Sequence, residues 1–197
     1  MKIDNTRIEN IKGNEKYGFR LIGYKGSYEF FCKNLLNREN WVRSLSRICV
    51  SSNIFLNYTI DKTLGKGSFA KVNLAYRNSD KRVFAIKTIE KARIMKSLRT
   101  MQFLYNEIAI MRKLSHPNII KLYEVHENEL YIHMVLEYLR GGELLQKLQN
   151  KGTYSEKDAS VTFKCVLEAL GYCHSLNIIH RDLKPENLIL AYFLILH

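Results

Sequence analysis

Ile178-Ile179-His180-Arg181-Asp182-Leu183-Lys184-Pro185-Glu186-Asn187-Leu188 is the stretch from which the rest of the chain becomes readable. Within six positions it sets an Asp that can accept a hydroxyl proton, a Lys that can neutralise phosphoryl charge and an Asn that can ligate a metal ion. Chance is a poor explanation for three such groups at this spacing. If the three belong together, a phosphorylated ligand must be held elsewhere in the chain.

Upstream, Leu64-Gly65-Lys66-Gly67-Ser68-Phe69-Ala70-Lys71-Val72 puts two glycines in a turn between predicted strands. Backbone N–H groups there can approach a polyphosphate without interference from a Cβ. Taken alone, a tight hairpin explains the glycines equally well. Lys87 ends the alternating segment Val83-Phe84-Ala85-Ile86-Lys87. It reads either as a strand-end lysine reaching for water or as an ammonium aimed at the same phosphates. Glu107 is one of two acids between Lys87 and Lys121. It reads either as a solvated carboxylate or as the group that holds the ammonium in place.

In this order, the glycine turn, Phe-Ala-Ile-Lys and His-Arg-Asp-Leu-Lys-Pro-Glu-Asn resemble the eukaryotic protein kinase family. The resemblance implies an α+β fold: an antiparallel five-stranded sheet with one helix as N-lobe, then the first helices of the C-lobe. It implies ATP and Mg²⁺ as cofactors and protein Ser or Thr hydroxyls as substrate. Residues 64–70 and Val72 would form the phosphate loop. Leu64, Val72 and Ala85 would cover the adenine from above and Ile189 from below. Lys87 would bind the α- and β-phosphates and pair with Glu107. Leu136 would be the gatekeeper, the stretch from Glu137 to Leu139 the hinge, and Glu143 would lie near the ribose. Asp182 would be the catalytic base, Lys184 the cation that neutralises phosphoryl charge and Asn187 the Mg²⁺ ligand. Glu186 joins the site by position and is the residue the resemblance offers for selecting a basic side chain upstream of the target. The wording HRDLKPEN resembles the serine/threonine branch, and LEYLRGGELLQKL the calcium/calmodulin-dependent or Polo-like groups. His116-Pro117-Asn118-Ile119-Ile120 matches the family's turn after its regulatory helix, which with Pro185 accounts for both prolines of the chain.

Periodicity supplies the scaffold. Strands are expected over 58–64, 70–76, 82–89, 119–125 and 130–136. Met101, Leu104, Ile108 and Met111 mark an amphipathic helix, and Ser155 with Asp158 caps a long helix to about Leu176. Ahead of these, YGFRLIGY and YEFFC flank Lys25-Gly26-Ser27 as a hairpin. A helix from Asn37 should follow, with Trp41, Leu45 and Ile48 on its packed stripe and Arg38, Arg43 and Arg47 opposite. This segment resembles the last strands and helix of a pleckstrin homology domain. The resulting division is 1–50 partial pleckstrin-homology-like, 51–57 linker and 58–197 partial kinase domain.

The 197 residues are 46% hydrophobic and 25% charged, with mean hydropathy −0.23, an ordinary globular composition that excludes disordered and fibrous classes. The net charge of +12 admits nucleic acid or anionic lipid. Residues 87–121 carry eight basic and two acidic side chains but no nucleic-acid-reading motif, so no nucleic acid partner is expected. Anionic lipid stays a candidate partner of the N-terminal segment. The polar start MKIDNTRIENIKGNEK and four cysteines without metal-ligand spacing suit a reducing, cytoplasmic location, membrane-associated if that segment binds lipid.

Two departures from the family stand out. Ala70 replaces the third glycine of the phosphate loop, and Asn187 is followed by Leu-Ile-Leu-Ala-Tyr-Phe-Leu-Ile-Leu-His instead of a hairpin and Asp-Phe-Gly. The expectation is therefore a truncated, inactive representative of a kinase. The alternative is a catalytically dead ATP-binding or lipid-tethered scaffold module.

Overall fold

A computed structural model describes residues 6–11, 17–23, 26–45, 49–51, 53–67, 69–94, 98–151 and 154–191. The chain divides into two compact units, Met1–Lys113 with Lys121–Glu137, and Leu114–Ile120 with Tyr138–His197.

The first unit is organised by five strands whose residues alternate between two faces: β5 (Tyr58–Lys66), β6 (Ala70–Arg77), β7 (Val83–Glu90), β8 (Leu122–Glu127) and β9 (Tyr131–Glu137). All neighbouring pairs among them are antiparallel, in the order β8-β9-β7-β6-β5, as the motif reading requires. On one face Tyr58, Ala75, Phe84, Ile86 and Val135 form a buried cluster that also takes in Ile54. Phe84 is its centre, meeting Tyr58 and Tyr123 edge-on at 5.5 and 5.3 Å between ring centroids. Two helices follow β7: α2 (Lys91–Ile94) and α3 (Leu98–Lys113). Leu104 and Ile108 are the buried positions of α3, four apart as an amphipathic helix demands.

The same sheet continues into the N-terminal residues. Strands β1 (Arg7–Asn10), β2 (Tyr17–Gly23), β3 (Gly26–Cys32) and β4 (Val50–Ser51) extend it to nine strands, in the order β3-β2-β1-β4-β8 and onward. β2 and β3 form the expected hairpin, closing with Gly23 opposite Gly26. Gly26 has φ +128°, a conformation that only glycine adopts without strain. Lys25 lies outside the described residues.

Three features depart from the sequence reading. The polar N-terminus contains β1, whose single buried strand residue, Ile8, joins Phe19, Leu21 and Cys49 in a second cluster. Helix α1 (Leu35–Leu45) packs Val42 and Leu45 against that cluster, while Trp41 is 58% exposed; Arg47 and Ile48 lie outside the described residues. The stretch 51–57 is not a plain linker. β4 pairs in parallel with both β1 and β8, and a 3-10 turn over Ile54–Leu56, capped by the Asn53 side chain, buries Ile54 to 1% exposure.

The second unit contains β10 (Gly142–Glu143), α4 (Leu144–Lys151), α5 (Glu156–Ser175) and β11 (Ile189–Leu190), with β10 and β11 antiparallel. Ser155 caps α5 as expected. Its Oγ accepts from the Asp158 N–H at 3.1 Å and donates to Asp158 Oδ2 at 2.7 Å. No helix among the described residues is long and apolar enough to cross a membrane.

Two predictions follow from the packing. Phe84→Ala should cost about 3–5 kcal/mol in urea unfolding, and Trp41→Ala less than about 0.5 kcal/mol. His133, buried across from His126, engages Thr88 Oγ1 through Nδ1 at 2.9 Å, and its Nε2 has no hydrogen-bond partner among the described residues. Burial, with His126 beside it, lowers its pKa from 6.5 to about 4. The unfolded chain therefore takes up a proton in this window that the folded chain refuses. Stability should be full above about pH 6.5 and fall as the pH drops toward 4. His133→Leu should flatten that slope in urea midpoints measured against pH.

Candidate functional site

In the first unit the site grows from the β5–β6 turn. Gly65 lies opposite Val72 and Lys66 opposite Lys71, and the Gly67 N–H donates to the Ala70 carbonyl at 2.8 Å. A Cβ on Gly65 would meet nothing within 4 Å, and one on Gly67 would meet only the Ala70 carbonyl, at 3.7 Å. The protein's own packing does not demand these glycines, so the space is left for something else. Leu64, Lys66 and Phe69 are exposed and Ala70 half-buried; Ser68 lies outside the described residues.

Register places the remaining groups. Val72, Lys87 and Met134 are successive cross-strand partners, and Leu74, Ala85 and Leu136 form the next such row. Val72, Ala85, Lys87 and Leu136 therefore share one face of the sheet, opposite the Phe84 cluster. Helix α3 brings Glu107 to this ammonium, with Lys87 Nζ 3.6 Å from Glu107 Oε1. The side chains are 33% and 50% exposed, so the pair is worth at most about 1 kcal/mol in stability and its value is positional. Glu137, at the end of β9, is fixed by a partner the sequence did not indicate. Its N–H donates to the Lys121 carbonyl at 2.9 Å and its carboxylate accepts from the Lys121 N–H at 3.4 Å. Leu139, two positions on, falls in the second unit and is half-buried.

In the second unit β10 sets Glu143 opposite Ile189 and Gly142 opposite Leu190. The approach is close enough that a Cβ on Gly141 would sit 2.4 Å from the Leu190 carbonyl oxygen, and Gly142 has φ +73°. Both glycines are thus backbone requirements of this ribbon.

The end of α5 delivers the chain to the loop that carries Asp182. Asn177 turns it in the left-handed region at φ +58°, with the Ile178 N–H donating back to the Cys173 carbonyl at 2.9 Å. Arg181, at φ +66°, is a second left-handed residue, in a conformation that costs a non-glycine residue energy and concentrates at functional sites. Around Asp182 three partners converge. Asn187 Nδ2 donates to its backbone carbonyl at 2.7 Å and to Oδ2 at 3.0 Å. Lys184 Nζ stands 3.2 Å from the same Oδ2, and the Asp182 N–H donates to His180 Nδ1 at 3.3 Å. The 3-10 turn over Pro185–Asn187 folds Asn187 back to make these contacts. The Asn187 and Lys184 hydrogen bonds hold the Asp182 carboxyl below the usual carboxylate range, with further help from the Lys184 and His180 charges. Asp182 is thus ionised at neutral pH and accepts hydrogen bonds only. Glu186 and Ile189 are exposed beside this cluster.

The segment with Pro117 has a structural role that spacing did not disclose. The His116 ring stacks on Tyr172 of α5 at 5.1 Å, the Ser115 N–H donates to the Tyr172 hydroxyl at 3.0 Å, and Asn118 Nδ2 donates to Glu168 at 3.0 Å.

The sequence model described as "Protein kinase domain" matches residues 58–193. The probable serine/threonine-protein kinase fhkD of Dictyostelium discoideum is 42% identical over 134 residues, 68% of this chain and 18% of that protein. Calcium/calmodulin-dependent protein kinase type 1B of Rattus norvegicus is 45% identical over 135 residues, 68% of this chain and 38% of that protein; the Homo sapiens protein of the same name gives the same identity and shares. The chain thus spans well under half the length of these relatives.

Because Asn187 is the first source of the Asp182 shift, Asn187→Ala should move the carboxyl titration of Asp182 upward, toward the ordinary carboxylate range. Side-chain NMR during an acid titration reads this directly, and an unchanged titration would remove Asn187 from that role.

Proposed function

The chain belongs to the protein kinase domain family, and we propose that it is a serine/threonine kinase that passes the γ-phosphoryl group of ATP to a protein Ser or Thr hydroxyl. The observation that carries this reading is the Asp182 cluster, an ionised carboxylate with an amide and an ammonium fixed on it. Phosphoryl transfer asks a protein mainly for positioning and charge neutralisation. Asp182 accepts the hydrogen bond of the incoming hydroxyl and orients its oxygen. Lys184 balances charge on the transferring group. Lys87, steadied by Glu107, holds the α- and β-phosphates, and the open backbone of Gly65 and Gly67 admits the polyphosphate. In the first unit Leu64, Val72 and Ala85 offer apolar contacts to the adenine and Glu137 begins its hydrogen-bonding edge; in the second, Leu139, Ile189 and Glu143 are the residues that the family pattern assigns to the adenine edge, its lower face and the ribose. Glu186 is suited to a basic residue upstream of the target hydroxyl.

Among the described residues no group of three or more His, Cys, Asp or Glu could hold a metal ion. Asp182 and Asn187 instead supply hard oxygen atoms, which fits a metal bound through one or two protein ligands together with substrate phosphates and water. Asn187 is the residue assigned to it. When bound, Mg²⁺ supplies charge neutralisation at the phosphate oxygens.

A second reading rests on one observation: the open glycines Gly65 and Gly67 and the Lys87–Glu107 pair all belong to the first unit, whereas the Asp182 loop belongs to the second. On that reading the chain binds ATP without turning it over. For the N-terminal residues we infer a pleckstrin-homology-like segment with anionic lipid as its partner, and a cytoplasmic setting for the whole.

Mg·ATP at ten times its Kd should stabilise the chain by about 1.4 kcal/mol, a rise of roughly 3–6 °C in Tm. Lys87→Met should abolish the rise, and no rise in the unsubstituted chain would contradict both readings. Transfer of label from γ-labelled ATP to a Ser-containing basic peptide, lost in Asp182→Asn, separates the kinase from the silent binder.

A further inference from the structure

Helix α3 carries Glu107, yet the half-exposed Lys87–Glu107 pair is too weak to hold the helix where it lies. Its position is set by other contacts. Leu104 and Ile108 are buried, and the Tyr105 hydroxyl donates to Glu127 Oε1 at 2.9 Å, with Glu127 ion-paired to Lys91 of α2. In the last turn, the half-buried Arg112 donates from Nη2 to the backbone carbonyl of Cys49 at 3.2 Å.

That carbonyl is a firm acceptor. Cys49 is fully buried, its N–H donates to the Leu45 carbonyl of α1 at 2.7 Å, and the next residue begins β4. β4 pairs on one side with β1 and on the other with β8, which would otherwise be an edge strand. Cys49, α1, β1 and β4 all precede position 58, where the family match begins.

We propose that β1, α1, Cys49 and β4 brace helix α3, with Arg112 as the positioning residue that, through the Cys49 carbonyl, keeps Glu107 on Lys87. The nucleotide part of this proposal rests on the kinase reading above; the placement of the helix does not. A guanidinium bonded to a buried carbonyl is a charge-assisted contact, stronger than an ordinary surface one. Arg112 also places positive charge at the C-terminal end of the helix dipole, as does the exposed Lys113, so the two effects must be separated.

The test uses the full chain and two readouts, the Kd for Mg·ATP and amide hydrogen exchange of α3 without nucleotide. Arg112→Ala should weaken Mg·ATP binding roughly 3–10-fold and speed exchange of the α3 amides by a similar factor, with β6 and β7 unchanged. Arg112→Lys should recover most of both, and Lys113→Ala should change neither. Should the alanine variant not fold, Arg112→Met keeps the aliphatic stem without the donor. Unaltered α3 exchange in Arg112→Ala or Arg112→Met would overturn the brace, and so would an equal loss in Lys113→Ala. Failure of the unsubstituted chain to bind Mg·ATP would count against the kinase reading alone, and α3 exchange would then decide the brace.

Discussion

Everything the first unit offers to a ligand depends on the two-sidedness of one strand, β7. Between β6 and β9 it turns Phe84 and Ile86 into the core on one face and Ala85 and Lys87 to the other. A slip of one residue would drive the Lys87 ammonium into the aromatic cluster and turn Phe84 away from Tyr58 and Tyr123, an exchange of several kcal/mol in the wrong direction. The packing of Phe84 between Tyr58 and Tyr123 is therefore what delivers the ammonium beside Val72 and within reach of Glu107.

The second unit achieves its placement differently, by local backbone constraint. Two left-handed residues, Asn177 and Arg181, redirect the chain after α5, and a 3-10 turn returns Asn187 to Asp182 within five residues. Electrostatics then follow from geometry: two donors on one carboxylate hold it ionised, a state suited to accepting a hydroxyl hydrogen bond. The Gly141–Leu190 approach, with the Gly141 N–H on the Leu190 carbonyl and the Leu144 N–H on the Leu188 carbonyl, fixes the neighbouring ribbon, so Glu143 and Ile189 arrive opposite one another.

What could be read from the sequence was what is local or periodic. The Asp182, Lys184 and Asn187 cluster lies within one loop, and the alternation through Val83–Lys87 puts Lys87 on the face opposite Phe84. The Ser155 cap with its helix, and the Leu104–Ile108 stripe, follow from spacing alone. The unread features depend on distant partners. β1 has a single buried strand residue, Ile8, in an otherwise polar stretch, and β4 is two residues long and recognisable only by its parallel pairing to β8. The i, i+4, i+7 spacing puts Trp41 on one stripe with Leu45 and Ile48, but the face that packs carries the half-buried Val42 and Leu45, because the second cluster approaches the helix from the side of Val42. The Arg112–Cys49 contact spans 63 positions between a side chain and a carbonyl, and no residue pattern encodes it.

Methyl NMR of an isotope-labelled chain titrated with Mg·ATP is the most direct test of this placement. Val72, Ala85 and Leu136 share the face of Lys87, while Ala75, Ile86 and Val135 lie in the cluster on the other side. The predicted result is a saturable shift of the first three methyl sets with the second three nearly still. Shifts confined to the second set, or no shift at either, would contradict a nucleotide site built on the Lys87 face.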